Sequence, residues 1–182
     1  MIANGTADGT GDDRAVSQPR SRWILFATLA LLVIVIDQLT KAWLVATVQP
    51  GEVLSVVGDW LRFVHGRNSG GLFGLFSGSA EVFALASLGV IGLIVVYHAR
   101  SRPNVVLSVA LGLLLGGAIG NLVDRVRFGY VIDFVDAGIG DLRFYTFNAA
   151  DSAISTAILL LILLALFPRL GAGTEPAGRP DA

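Results

Sequence analysis

Four apolar stretches, roughly 23–48, 80–98, 105–123 and 149–167, govern what this chain can become. Each is long enough to cross the hydrocarbon layer of a bilayer, about 30 Å, which takes about 20 helical residues. The 182 residues are 54% hydrophobic and 15% charged, with a mean hydropathy of +0.71, far from the balance of an ordinary soluble domain. The expectation is an all-α membrane protein in which four transmembrane helices form one domain, 22–168. Residues 1–21 are small and polar and read as a disordered N-tail; 169–182 are rich in Pro and Gly and read as a disordered C-tail. The first apolar stretch exceeds a signal-peptide core and carries Asp37, Gln38 and Lys41, so it reads as a retained helix.

Arginine placement sets an expected orientation. Arg14, Arg20 and Arg22 precede the first span, Arg100 and Arg102 sit between spans two and three, and Arg169 and Arg179 follow the fourth. The longer connections, about 49–79 and 124–148, hold Arg62, Arg67, Arg125, Arg127 and Arg143. This bias predicts both termini in the cytoplasm and both long loops outside. In the first loop, Val53–Val57 and Trp60–His65 are β-favouring runs separated by Gly58-Asp59, a hairpin signal, so a small outer-face β-cradle is expected. The second loop carries Asp133, Asp136 and Asp141 among apolar residues, with Gly138 and Gly140 suggesting a mobile flap.

Within the third span, Gly112, Gly116 and Gly120 recur every four residues, a stripe that lets helix backbones approach closely. The stripe continues onto Asp124, which should face a neighbouring helix. Gly117, Asn121 and Arg125 form the adjacent row. On the fourth span, Asn148, Asp151, Ser152 and Ser155 share one face beside Ala150, Ala153 and Ala157. Spans three and four thus offer polar outer ends to one another.

Ionisable groups in or beside a membrane span are functional candidates, because an unpaired charge there costs several kcal/mol. Asp37, Lys41, Asp124, Asp133 and Asp151 all fall at the same end of the bundle. Asp37 and Lys41, four residues apart, read either as a snorkelling intrahelical pair or as a group supporting a site. Arg125 beside Asp124 would hold that carboxylate ionised, as a structural or substrate-orienting pair. Asp136 and Asp141 read as exposed loop charges, Asn68 as a turn residue, and His98 as part of a basic helix end. Asp133 sits in the apolar run "GYVIDFV" and Asp151 in "AADSA". Two poorly solvated carboxylates brought face to face share one proton, leaving one acid and one base, the chemistry of an aspartic protease. Helix spacing points to Asp124 as the partner of Asp151, whereas the apolar setting of Asp133 points to Asp133.

Several classes are excluded. There is no cysteine, which removes disulfides, thiol nucleophiles and thiolate metal sites. The two histidines, His65 and His98, have no zinc-peptidase spacing. A net charge of −1 suggests no nucleic-acid partner.

The blocks "DQLTK" (Asp37 to Lys41), "RNSGGLFG" (Arg67 to Gly74), "GGAIGNLVDR" (Gly116 to Arg125), "GYVIDF" (Gly129 to Phe134) and "FNAADS" (Phe147 to Ser152) together resemble the ordered motif set of lipoprotein signal peptidases, or signal peptidase II. The resemblance runs from about residue 30 to 165. It implies an aspartic endopeptidase of the bacterial inner or plasma membrane that removes the signal peptide from diacylglyceryl-modified prolipoproteins, cleaving before the lipidated cysteine. Carried over by motif, the catalytic pair is Asp133 and Asp151, and Asn68, Asn121, Asp124, Arg125 and Asn148 line or brace the site, with Asp37 and Lys41 in support. The family fold implied is a four-helix membrane domain with an outer-face β-cradle and a mobile segment over the site. One block departs: Gly71 and Leu72 follow Asn-x-Gly where small residues are common. Prolipoproteins and membrane lipids are the expected partners of a monomer, with no cofactor, metal or nucleic acid.

Three rival readings compete. A small ion or proton-relay subunit would also use intramembrane carboxylates, but relays place them near midspan, and spans two to four are apolar there. A Ser/Lys peptidase would depend on Lys41, the only lysine. A purely structural tetraspan protein leaves the polar blocks unexplained.

Overall fold

The computed structural model describes residues 20–70, 79–101 and 103–171. Four helices, α1 (Arg20–Thr47), α2 (Ala80–Arg100), α3 (Val105–Phe128) and α4 (Ala149–Leu166), are each long and apolar enough to cross a membrane. The expected tails (apart from 20–21 and 169–171), Arg102 and the Gly71–Gly74 part of the "RNSGGLFG" block lie outside the described residues.

Local chemistry explains where the helices stop. α1 runs out just before Pro50, which cannot supply an N–H to a continuing helix. Asn104 caps α3 by accepting from the Leu107 N–H at 2.8 Å. Gly129 ends it in the left-handed conformation (φ 76°), its N–H donating to the Arg125 carbonyl at 3.0 Å, a geometry that favours glycine. α3 therefore continues past the apolar run and carries Asp124 and Arg125 as helical residues.

α3 is the central helix and packs against α1, α2 and α4. Its two glycine rows serve different partners. A Cβ on Gly116 would lie 2.7 Å from the Ala30 carbonyl of α1, and one on Gly117 would lie 2.6 Å from the Ala150 carbonyl of α4. Neither contact leaves room for a methyl group, so bare backbone lets three helices converge. Phe26, Ala30, Ile94, Leu111 and Leu115 form the bundle core. Many large apolar residues elsewhere on the helices point outward, among them Leu31, Leu93 and Leu159, as a surface solvated by lipid requires. His98 lies with Arg100 in the basic last turn of α2, as expected, but its ring is buried, stacked 4.2 Å from Phe26 and edge-on to Trp23.

A four-stranded antiparallel sheet sits on one end of the bundle, in the order β1 (Val53–Val57), β2 (Leu61–Asn68), β3 (Val131–Ile139) and β4 (Leu142–Arg143). The hairpin read in the first loop is β1–β2, with Gly58 at φ 51° in its turn. The second loop is not solely a flap. Much of it is β3, which pairs along β2 so that Gly66 faces Asp133 and Asn68 faces Val131. Beyond β3, only the Gly140 turn and the segment 144–148 that leads into α4 lie outside its strands. A register shift between Phe63 and Gly66 places a bulge beside Asp133, and such bulges re-aim side chains. Leu44 of α1 and Val48, just past its end, pack with Ile132 and Phe134 of β3, anchoring the sheet to the bundle.

Asp136 corrects the expectation of an exposed charge. It is buried, and Arg62 and Arg143 both pair with its carboxylate, the closest contacts being 2.6 and 2.9 Å. Burial alone would raise its pKa, but the hydrogen bonds and charges of Arg143 and Arg62 outweigh this and hold it below the usual carboxylate range.

Candidate active site

Three elements deliver carboxylates to one spot where the sheet meets the bundle. β3 brings Asp133, the C-terminal end of α3 brings Asp124, and the first turn of α4 brings Asp151. Each is held differently, and the difference assigns their capacities.

Asp151 is fixed by the start of its own helix. Asn148 and Asp151 form a capping box: the Asn148 side chain accepts from the Asp151 N–H at 2.9 Å, and the Asp151 Oδ2 accepts from the Asn148 N–H at 3.2 Å. Across the α3–α4 interface, Asn121 Nδ2 donates to Asp151 Oδ1 at 2.8 Å. The placement follows from sequence, because an Asn followed three residues later by an acidic side chain satisfies the unpaired N–H groups of a helix start.

Asp133 is buried, at 2% exposure. Asn68 donates to its Oδ2 at 3.0 Å and Asn148 to its Oδ1 at 2.8 Å. Its pKa is pushed up to about 6, first by burial and then by the negative charge of nearby Asp151; the Asn68 and Asn148 hydrogen bonds and the Lys41 charge pull less strongly the other way. Asn148 thus touches both carboxylates, that of Asp133 through its side-chain amide and that of Asp151 through its backbone N–H.

Asp124 is fully committed elsewhere. Its Oδ1 accepts from Gln38 at 3.0 Å, while its Oδ2 accepts from the Ile132 N–H at 3.1 Å and pairs with Lys41 at 2.8 Å. Lys41 also pairs with Asp37 at 2.8 Å and donates to Asn121 at 3.2 Å. Asp37 in turn accepts from the Ala150 N–H of α4 at 3.0 Å. Lys41, Asp37 and Asp124 are each at most 2% exposed, so α1 and α3 together hold a desolvated ion triad rather than a snorkelling pair. The triad ties α1 to the start of β3 and to the start of α4.

Arg125, expected as the counter-ion of Asp124, points past it. Its Nη2 donates to the Gly70 carbonyl at 3.0 Å and its guanidinium lies over the Phe83 ring at 5.6 Å. It stays close enough to Asp133, Asp151 and Asp124 to contribute positive charge to all three.

Every residue named from the motifs, Asp37, Lys41, Asn68, Asn121, Asp124, Arg125, Asp133, Asn148 and Asp151, therefore meets in this one region. Two participants were not singled out. Gln38 bridges Asp37, Asp124 and the Gly120 carbonyl, and its place between Asp37 and Lys41 was the available signal. Gly66 lies so close to β3 that a Cβ there would be 2.6 Å from the Asp133 carbonyl; nothing local in the sequence marks it. Among the described residues no group of His, Asp and Glu side chains is arranged to hold a metal ion.

Residues 29–167 match the family described as signal peptidase (SPase) II. A lipoprotein signal peptidase of Moorella thermoacetica is 40% identical over 152 residues, covering 83% of this chain and 99% of that protein. One of Syntrophomonas wolfei is 40% identical over 136 residues, covering 75% of this chain and 89% of that one. Two solved structures, each described as a bacterial membrane enzyme, superpose with TM-scores of 0.75 and 0.71 at 29% and 32% identity, covering 84% and 78% of this chain and 94% and 92% of theirs. The two glycine rows, the ion triad and the carboxylates at the sheet–bundle junction are thus those of a chain that belongs to the signal peptidase II family.

Proposed function

We propose that this chain removes signal peptides from prolipoproteins as an aspartic endopeptidase, with Asp133 and Asp151 as its catalytic pair. Membership of the signal peptidase II family supports the protease activity and the substrate class. The observation that carries the choice of pair is the contrast between Asp124, whose oxygens are engaged by Lys41, Gln38 and Ile132, and Asp133, held among the described residues by two neutral amides.

The division of labour follows from the surroundings. Burial and the Asp151 charge push the Asp133 pKa up to about 6, and Asp133 is assigned the proton that the coupled pair shares. Asp151 lies in the first turn of α4, where the helix dipole and the Asn148 N–H that its Oδ2 accepts favour negative charge, and is the base. Asp151 takes a proton from a water, whose oxygen attacks the scissile carbonyl carbon. Asp133 donates its proton to the carbonyl oxygen as it gains charge. Collapse of the resulting gem-diol breaks the C–N bond; the proton held by Asp151 passes to the leaving nitrogen and Asp133 recovers its own. Asn148 and Asn121 keep the two carboxylates at a fixed separation, and such positioning is itself a large part of catalysis.

The site belongs where a lipid-anchored substrate presents its scissile bond, just before a diacylglyceryl-modified cysteine and at the membrane surface. Arg20, Arg22, Arg100 and Arg169 lie at the opposite end of the bundle, which supports cytoplasmic termini and an outward-facing site.

The test is cleavage of a diacylglyceryl-modified lipobox substrate by Asp133→Asn and Asp151→Asn in detergent or lipid. Each should lose roughly a thousandfold or more in kcat while remaining folded and membrane-inserted. Near-normal cleavage by either would falsify the pair. Asp124→Asn should chiefly lower stability; if it is folded as well as the parent and alone abolishes cleavage, the role given to Asp133 moves to Asp124.

A further inference from the structure

At the end of the bundle remote from the carboxylates, α2, α3 and α4 leave a groove of about 520 Å³ between them. Leu107, Leu161 and Leu164 line it as half-buried apolar walls, and Tyr97, Asn104 and Pro168 form its rim at the helix ends. Its walls belong to three helices that are each long and apolar enough to cross a membrane, so a molecule dissolved in a bilayer can reach it. Its chemistry is amphiphilic in order, with leucine toward midspan and polar groups where the headgroups begin.

The charge beside the rim is positive. Arg100 lies one helical turn after Tyr97 on the same face of α2, and Arg169 directly follows Pro168 in the short 3-10 turn Pro168–Gly171. Both are exposed, and neither is ion-paired with a described carboxylate. Asn104 uses its Oδ1 to cap α3, which leaves its Nδ2 as a donor toward the groove. An apolar slot with an amide on its rim and two exposed arginines close by in the chain, Arg100 after Tyr97 and Arg169 after Pro168, matches one acyl chain joined to an anionic phosphodiester. A neutral apolar helix would leave those cations unanswered.

We propose that this groove is a binding site for an anionic phospholipid, one acyl chain lying along Leu107, Leu161 and Leu164 and the phosphate held by Arg100, Arg169 and the Asn104 amide. The site is separate from the peptidase chemistry and stands or falls without it.

The test uses the delipidated full-length protein in nonionic detergent, titrated with dioleoylphosphatidylglycerol or dioleoylphosphatidylcholine, with adducts counted by native mass spectrometry. Phosphatidylglycerol should be retained preferentially at one copy per chain. Exchanging Arg100→Gln together with Arg169→Gln should lower that retention roughly thirtyfold, since each basic group near an anionic lipid contributes about 1 kcal/mol. Leu161→Trp, which fills the groove, should abolish retention of that copy. Equal retention of the two lipids, unchanged retention in the double arginine variant, or a dimer that Leu161→Trp disperses in place of a lipid adduct would each overturn the proposal.

Discussion

Asn148 donates its side-chain amide to Asp133 Oδ1 at 2.8 Å, so the residue that starts α4 also grips the central carboxylate of the sheet. Its Oδ1 is meanwhile engaged by the Asp151 N–H at 2.9 Å. One side chain therefore performs two separable jobs, capping a helix and spacing two carboxylates.

Those jobs separate on substitution. Asn148→Ser keeps a capping oxygen and should change thermal stability by no more than about 1 kcal/mol. It removes the amide that spans to Asp133, and kcat on a lipobox substrate should fall roughly a hundredfold. Equal loss in stability and rate would mean that Asn148 acts only as a cap.

The proton on Asp133 has a signature in stability. With a folded pKa of about 6 against an ordinary 3.8, the folded protein binds a proton that the unfolded chain releases between those values. Stability from this group is therefore lost as pH rises from about 4 to about 6. Asp133→Asn cannot titrate, so its stability relative to the parent should improve over that window, by up to about 3 kcal/mol. Thermal inactivation of both proteins from pH 4 to pH 7 measures the difference; a flat difference contradicts the raised pKa.

Removing Lys41 leaves Asp37 and Asp124 buried without their cation. Lys41→Met should cost about 3–5 kcal/mol. Adding Asp124→Asn to it should recover part of the loss, because one uncompensated charge is removed. A double-mutant cycle in detergent checks this, and additive losses would show that the two residues do not share one network.

Helix spacing should control rate independently of chemistry. A Cβ at Gly117 would press on the Ala150 carbonyl and on Ile154 at 2.6 Å, pushing α4 and Asp151 away from α3. Gly117→Ala should lower kcat by roughly tenfold to a hundredfold through misplacement of one carboxylate. Gly89, where a Cβ would meet nothing within 4 Å, supplies the control: Gly89→Ala should leave cleavage unchanged.

On the sheet, Asp136 joins Arg62 and Arg143, and Asp59 reaches the same arginines and the Gly140 N–H at 2.7 Å. Asp136→Ala leaves two arginines partly buried beside an empty acceptor site and should cost about 1–3 kcal/mol. Because Asp136 shares β3 with Asp133, hydrogen exchange should rise along β2 and β3 in this variant; protection unchanged from the parent would show that the arginine pairs do not hold the strand.

What the sequence alone determined is what depends on local chemistry and on the cost of burying backbone in lipid. Four long apolar runs dictate four helices, the Gly58-Asp59 turn dictates a hairpin, and the four-residue glycine spacing dictates which faces of α3 can approach other helices. The ordered polar blocks also contain the carboxylates and the asparagines that meet at the sheet–bundle junction. Tertiary structure decided how those side chains divide the work. Asp124 and Arg125 are neighbours in the chain, yet successive helical residues point about 100° apart, so Asp124 turns to Lys41 on α1 while Arg125 turns to Gly70. Asp136 looked like a solvated loop charge because its two arginines come from β2 and β4. The candidate loop became the strand β3 because its partner β2 lies more than sixty residues earlier in the chain. Pairing across such distances depends on which elements the bundle brings side by side, and no local pattern encodes it.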